Sequence, residues 1–155
     1  MSQVDEKLIR EVLSGYGERR FLIAASLEYP ILHGNFLIGP TFYYSPHFEH
    51  AADIEIQFCL NQLCYVGVAE LIKKEEIPEL KGLNFAELQN ENMLIVESRK
   101  RFRRPIRTDK VITGELKVDD WRKYNHGIAA LVNFQFENRS CFGHLELVLL
   151  NPKQK

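Results

Sequence analysis

Residues 51–74, AADIEIQFCLNQLCYVGVAELIKK, restrict the fold of this chain more than any other segment. Apolar side chains recur almost all the way round a helical period, and no proline interrupts them. At 1.5 Å per residue the segment is a rod about 36 Å long. A helix that is apolar on most sides has to be wrapped by the rest of its chain. Yet Asn61, Gln62 and Tyr65 stand in its middle. Polar groups inside such a helix need partners or a task. Asn61 and Tyr65 are four residues apart and share a face, whereas Gln62 points about 100° away.

The remaining pattern says what does the wrapping. Residues 4–14 read as a short amphipathic helix, with Leu8/Val12 and Ile9/Leu13 at i,i+4 spacing. Ser2 and Asp5 give it a capping signature, and Gly15 and Gly17 end it around Tyr16. Residues 21–29 form a strand stopped by Pro30. A second extended stretch, 34–38 and 41–44, is broken by Gly39-Pro40. Residues 75–92 make a charged connection with a short helix at 85–88. From residue 93 the period becomes two, giving strands at 93–102, 111–118, 128–137 and 141–150. Asn138-Arg139-Ser140 turns the last hairpin, and Trp121-Arg122-Lys123-Tyr124 reads as a turn between strands. One dominant helix flanked by strands is an α+β pattern. The expectation is a single domain over 1–155, in which a curved antiparallel sheet of five or six strands wraps the helix: the hot-dog architecture.

Composition narrows the function classes. The net charge is −1, so no global field argues for nucleic acid. No apolar run approaches the roughly 20 residues that span a bilayer. The first residues, MSQVDEKLIREVL, are acidic and helical, unlike a leader that is charged and then apolar. A cytoplasmic protein with no membrane partner is the expectation. Cys59, Cys64 and Cys141 are odd in number and lack metal-ligand spacing, so they read as buried free thiols, with no metal. There is no G-x-S-x-G elbow, phosphate loop or dinucleotide fingerprint, and no cofactor is expected.

Chemistry therefore has few places to sit. Asn61 cannot act as a base, but it can orient a water or hold a carbonyl oxygen. The loop before the helix offers His47, Glu49 and His50, and histidine is the usual acid or base near neutral pH. Backbone N–H groups at Ala52 and Asp53 can polarise a thioester carbonyl, helped by the helix dipole. Asp53 and Glu55 lie in the first turns, where the dipole alone favours carboxylates. Tyr43 and Tyr44 face opposite sides of an extended segment, and Tyr43 is taken to face the helix start. Farther on, the run from Arg99 to Arg107 alternates on a strand. Arg99, Arg101 and Arg103 face one way, and Lys100, Phe102 and Arg104 the other. Such a run either protects a solvated edge strand or captures the phosphates of coenzyme A or of a carrier protein's phosphopantetheine.

Taken together, Gly34-Asn35-Phe36-Leu37-Ile38-Gly39, Tyr43, the histidine-containing loop, Cys59-Leu60-Asn61-Gln62-Leu63-Cys64-Tyr65 and Ser98-Arg99-Lys100-Arg101-Phe102-Arg103-Arg104-Pro105 resemble the FcoT-type hot-dog family over residues 8–150. That family includes long-chain acyl-thioester hydrolases, and relatives that add glycine across an α,β-unsaturated acyl thioester in β-amino acid or isonitrile lipopeptide biosynthesis. The resemblance implies active-site positions at Tyr16, Tyr43, Asn61 and Tyr65, and homodimers or larger homo-oligomers with sites at the subunit interface. In one register His50 and Glu55 take the family's His and Glu positions, and Ala52 stands where the family has Asn. In the other, His47-Phe48 takes the histidine position. The leading expectation is a thioesterase acting on fatty acyl groups carried by coenzyme A or acyl carrier protein. Asn61 and Tyr43 would position the attacking water, and His50 or Glu55 would move a proton. Glycine addition to an enoyl thioester is the alternative. A 3-hydroxyacyl dehydratase ranks lower, because Asn61 occupies the position of its helix Glu and an amide shuttles no proton. A non-catalytic acyl-binding subunit is a further alternative.

Overall fold

The computed structural model describes residues 1–39 and 49–151. The long helix, α2, runs Asp53–Lys74 and is the spine of the molecule. Before it come β1 (Ser2–Gln3), α1 (Glu6–Val12), a 3-10 turn at Ser14–Arg19, β2 (Leu22–Glu28) and β3 (Ile31–Phe36). After it come a 3-10 turn at Pro78–Leu80, α3 (Phe85–Gln89), β4 (Met93–Phe102), β5 (Ile112–Tyr124), β6 (Gly127–Phe136) and β7 (Cys141–Leu150). The strands form one sheet in the order β1-β2-β3-β5-β6-β7-β4, every pair antiparallel. This is the hot-dog arrangement. The sheet has seven strands, more than the five or six expected, because residues 2–3 add to its first edge.

Burial explains the layering. On β6, Ile128, Ala130, Val132, Phe134 and Phe136 alternate into the core, and on β7 Leu145, Leu147 and Leu149 do so. Both strands are central, so one face of each meets α2. From α2, Ile56, Leu60, Leu63 and Val66 are wholly buried. Two glycines let helix and sheet approach this closely. A Cβ on Gly67 would lie 2.5 Å from Leu32 Cδ2, and one on Gly34 would lie 2.9 Å from Leu63 Cδ1.

Gln62 is wholly buried and has a structural task. Its Oε1 accepts from Phe21 N–H (2.8 Å) and Leu22 N–H (3.0 Å), and its Nε2 donates to Arg19 O (2.8 Å). One side chain thus satisfies three main-chain groups where the chain enters β2, and it pins the rotation of α2 about its axis.

Several sequence expectations need correction. Asp5 alone caps α1, accepting from Lys7 N–H at 2.9 Å, and the helix is only seven residues long. Ser2 instead pairs with Leu27 in β1. Residues 121–124 are strand, not turn. A bulge between Val118 and Asp120 shifts the alternation, so β5 continues to Tyr124. Trp121 then packs on the core and donates its Nε1–H to Tyr29 Oη at 3.0 Å. The expected extended stretch at 41–44 lies outside the described residues.

Replacing Gln62 with Leu should cost roughly 3 kcal/mol, because three main-chain groups lose their partner beside the core. Urea unfolding checks this. A loss below about 1 kcal/mol would contradict the tie.

Candidate functional site

Between α2 and the edge strand β4 lies a pocket of about 410 Å³. Its walls are Gln57, Asn61, Cys64 and Tyr65 of the helix, residues 93–98 of β4, and Leu147. The helical period puts residues 57, 61 and 65 on one stripe. The β4 wall owes its character to a bulge between Ile95 and Glu97. Ahead of it Met93 and Ile95 turn inward; beyond it the phase changes, and Ser98 and Lys100 turn toward the helix.

The polar contacts here have a direction. Lys100 Nζ can only donate. It donates to Gln57 Oε1 at 2.5 Å, with Ser98 Oγ a further donor to that oxygen at 3.4 Å. The Gln57 oxygen is thereby turned to Lys100, so its Nε2 points the other way and donates to Asn61 Oδ1 at 2.9 Å. The Asn61 oxygen is used, and its Nδ2–H2 is left as a donor on the pocket wall with no partner among the described residues. Lys100 itself is held by Asp53 at 3.4 Å, and its side chain is only 11% exposed. A cation at one end thus fixes the orientation of two amides in series.

Tyr65 adds a second donor. Burial, with a smaller contribution from Cys64, raises its phenol above the ordinary value, so the O–H stays protonated. Tyr16 packs edge-on against Phe58, with ring centroids 5.9 Å apart. Burial, then Tyr65 and then Cys64, raises its phenol too. The structure therefore brings Tyr16, Asn61 and Tyr65 into one neighbourhood. Cys64 is on the same wall, but burial pushes its thiol up to about 12. A thiol held protonated is a poor nucleophile at neutral pH.

The start of α2 is more occupied than the sequence suggested. Ala51 N–H donates to Ile106 O at 2.7 Å, and Ala52 N–H donates to Glu55 Oε1 at 3.0 Å. Glu55 is buried and caps its own helix, taking half of a capping box whose other half alanine cannot supply. His50 is exposed and bridges Arg107 across a short antiparallel contact. Neither His50 nor Glu55 lines the pocket. Asp53 is eight residues before Asn61, about 12 Å along the axis. Within one chain the helix start and Asn61 cannot grip the same atom. Tyr43 and His47 lie outside the described residues.

The arginines are also apart from the lining. Arg99 is paired with Glu97 at 2.9 Å, and Arg104 donates to Asn138 O at 2.9 Å. Arg101 is exposed on β4, and Arg103 and Arg104 lie past its end, so the expected alternation stops at Phe102. The sequence reading missed Gln57, Ser98 and Lys100. Lys100 was hidden inside a basic run read as either a solvated edge or a phosphate clamp. Among the described residues no group of three or more His, Cys, Asp or Glu could hold a metal ion, and no helix is long and apolar enough to cross a membrane.

A curved antiparallel sheet wrapped around one long helix, with a pocket beside that helix, defines a hot-dog protein. Shape comparison agrees. A thioesterase superfamily protein of Shewanella loihica superposes with a TM-score of 0.53 at 9% identity, covering 82% of this chain and 90% of that one. A mutant thioesterase of Pseudomonas aeruginosa gives 0.54 at 8% identity, covering 94% of each. At such identities the likeness shows the fold. Sequence comparison goes further. The FcoT-like thioesterase domain matches residues 12–144, and the chain belongs to that family. The (2E)-enoyl-ACP glycyltransferase of Mycobacterium tuberculosis is 30% identical over 96% of this chain and 88% of its own length.

The raised thiol and phenols carry a pH consequence. Cys64 ordinarily titrates at 9.0, and Tyr16 and Tyr65 at 10.0; all three sit higher in the folded chain. Their protonated forms stabilise the fold fully below about pH 9, and that contribution drains as pH climbs through the folded values. The urea midpoint should fall between pH 8 and pH 11; a flat midpoint would contradict these burials.

Proposed function

We propose that this chain processes acyl thioesters in the pocket between α2 and β4, with hydrolysis as the leading reaction. The observation that supports it is the Asn61 amide, turned donor-outward by the Lys100–Gln57 relay and placed one helical turn from the Tyr65 hydroxyl. Two donor side chains on one pocket wall suit an oxygen that gains negative charge. In this reading a water oxygen attacks the thioester carbonyl, and the new oxyanion is held by Asn61 Nδ2–H and Tyr65 O–H. The C–S bond then breaks, the carboxylic acid forms, and the water's proton leaves with the thiol sulfur. Glu97 is turned to Arg99 on the exposed side of β4 and has no part in moving that proton. Tyr16 buttresses Tyr65, and Tyr43 and a histidine of the preceding loop are kept as further contributors. Arg99, Arg101, Arg103 and Arg104 are proposed to meet the phosphates of coenzyme A or of a carrier protein. A second copy of the chain would cover the open edge of β4, where Leu94 and Val96 are exposed beside the pocket.

The 30% identity to an enoyl-ACP glycyltransferase supports a second reading. The same two donors would polarise an enoyl thioester, the glycine nitrogen would bond to the β-carbon, and its proton would pass to the α-carbon. Incubation with an enoyl thioester, with and without glycine, separates the readings by product mass.

Asn61→Ala should lower kcat roughly 100-fold while KM moves little, the scale for losing one oxyanion donor. Lys100→Met should lower kcat by between tenfold and a hundredfold through lost orientation of Asn61. Steady-state kinetics on an acyl-thioester substrate checks both. Full activity of Asn61→Ala would remove the assignment.

A further inference from the structure

Where β4 ends, the chain folds against the turn between β6 and β7. Arg103 N–H and Arg104 N–H both donate to Ser140 O, at 2.8 and 3.3 Å, and Arg104 Nη2 donates to Asn138 O at 2.9 Å. Arg139 lies over the Phe142 ring, its Cζ 4.2 Å from the centroid, and Phe142 stands opposite Arg101 of β4. Arg101, Arg103, Arg104 and Arg139 therefore converge on one corner, and all are exposed. The carboxylates around them are taken: Glu97 pairs with Arg99, Asp109 with Arg107 and Glu137 with Lys110. Among the described residues none of the four converging arginines has a carboxylate partner. The whole chain carries a net charge of −1, so this corner is a local positive field on a nearly neutral molecule. The turn that presents Arg139 is also strained. Glu137, Asn138 and Arg139 have φ of 45°, 54° and 65°, in the left-handed region. Asparagine tolerates that region, whereas glutamate and arginine adopt it at a cost. Glu137 is held there by Thr113 and Lys110. Arg139 stands where glycine would sit more easily.

Resting on the acyl-thioester reading above, we infer that this corner docks the acidic face of an acyl carrier protein, whose phosphopantetheine arm then runs along β4 into the pocket. A single phosphate is satisfied by one guanidinium fork. Four unpaired guanidiniums exceed that need and match a row of carboxylates on a protein surface. Phe102 lies among them and is 40% exposed. Arginine beside an aromatic anchor is the composition that protein interfaces favour. A long polyanion fits less well, because it would run on over the acidic remainder of the chain. The reach also agrees. Ser98 is on the pocket wall, and Phe102 is four residues farther along the same face of β4, about 13 Å. A phosphopantetheine arm of some thirteen bonds extends to about 15 Å. A carrier seated on Phe102 and the arginines thus delivers its thioester to the polar end of the pocket.

The test uses the full chain with an octanoyl acyl carrier protein, octanoyl-coenzyme A and octanoyl-pantetheine. Arg139→Glu should lower kcat/KM for the carrier substrate roughly tenfold and leave the other two within about twofold, because only the carrier meets the corner as a surface. Added salt should weaken the carrier reaction selectively in the same way. Arg139→Gly removes the charge and relieves the turn, so carrier turnover should fall roughly fivefold while the urea midpoint does not fall. An equal loss on octanoyl-coenzyme A makes the corner a phosphate clamp and overturns the docking. So does unchanged carrier kinetics in both variants, or a short DNA duplex that binds as tightly as the carrier. Fluorescence anisotropy of a labelled carrier keeps the two readings apart. Binding that Arg139→Glu weakens, without turnover of any thioester, upholds the docking and removes the thioesterase reading. Turnover of octanoyl-pantetheine, with carrier binding unmoved by Arg139→Glu, does the reverse.

Discussion

The side chain on which the rest of the molecule depends is Gln62. α2 is apolar on most sides, so packing alone specifies its rotation weakly. The three bonds from the Gln62 amide to the main chain at 19–22 remove that freedom. Once that side of the helix is pinned to the start of β2, the stripe through Gln57, Asn61 and Tyr65 has to look at β4. Three neighbouring polar residues on one helix thus divide into a lock and a working face. The division follows from 3.6 residues per turn.

The working face is organised by hydrogen-bond grammar. An ammonium has no acceptor, so it dictates the sense of every amide downstream of it. Lys100 turns Gln57, and Gln57 turns Asn61. The outcome is a donor presented to the pocket where an isolated asparagine could present either end. The protonated Tyr65 phenol has the same polarity. Together they favour an anionic oxygen, the species that forms when a thioester carbonyl is attacked.

Much of this was legible in the residues. The boundaries of β4 and β7 read directly from period two, and α2 from its uninterrupted apolar round. The curved sheet around a helix followed from order alone. What stayed hidden depended on two bulges. The one after Val118 carries β5 on through residues that look like a turn, and so seats Trp121 on the core. The one after Ile95 reverses the alternation of β4. Had the phase of Met93 and Ile95 persisted, arginines 99 and 101 would have faced the helix. Instead Ser98 and Lys100 do, which no alternation count could anticipate. The helix start was misjudged for a different reason. A carboxylate three residues into a helix folds back on the first N–H groups, so Glu55 consumes a donor that otherwise looks available to a ligand.

The bulge in β4 has one more effect. β4 ends the sheet, and its outer main chain is the kind of rim onto which further strands add without limit. A flat rim with Leu94 and Val96 exposed would be a template for fibres. The irregularity splits that rim into two short ladders of different phase and twists one against the other. A neighbouring strand can match it in few registers. The kink that aims a lysine at the helix also makes the outer rim of β4 a poorer template for strand addition.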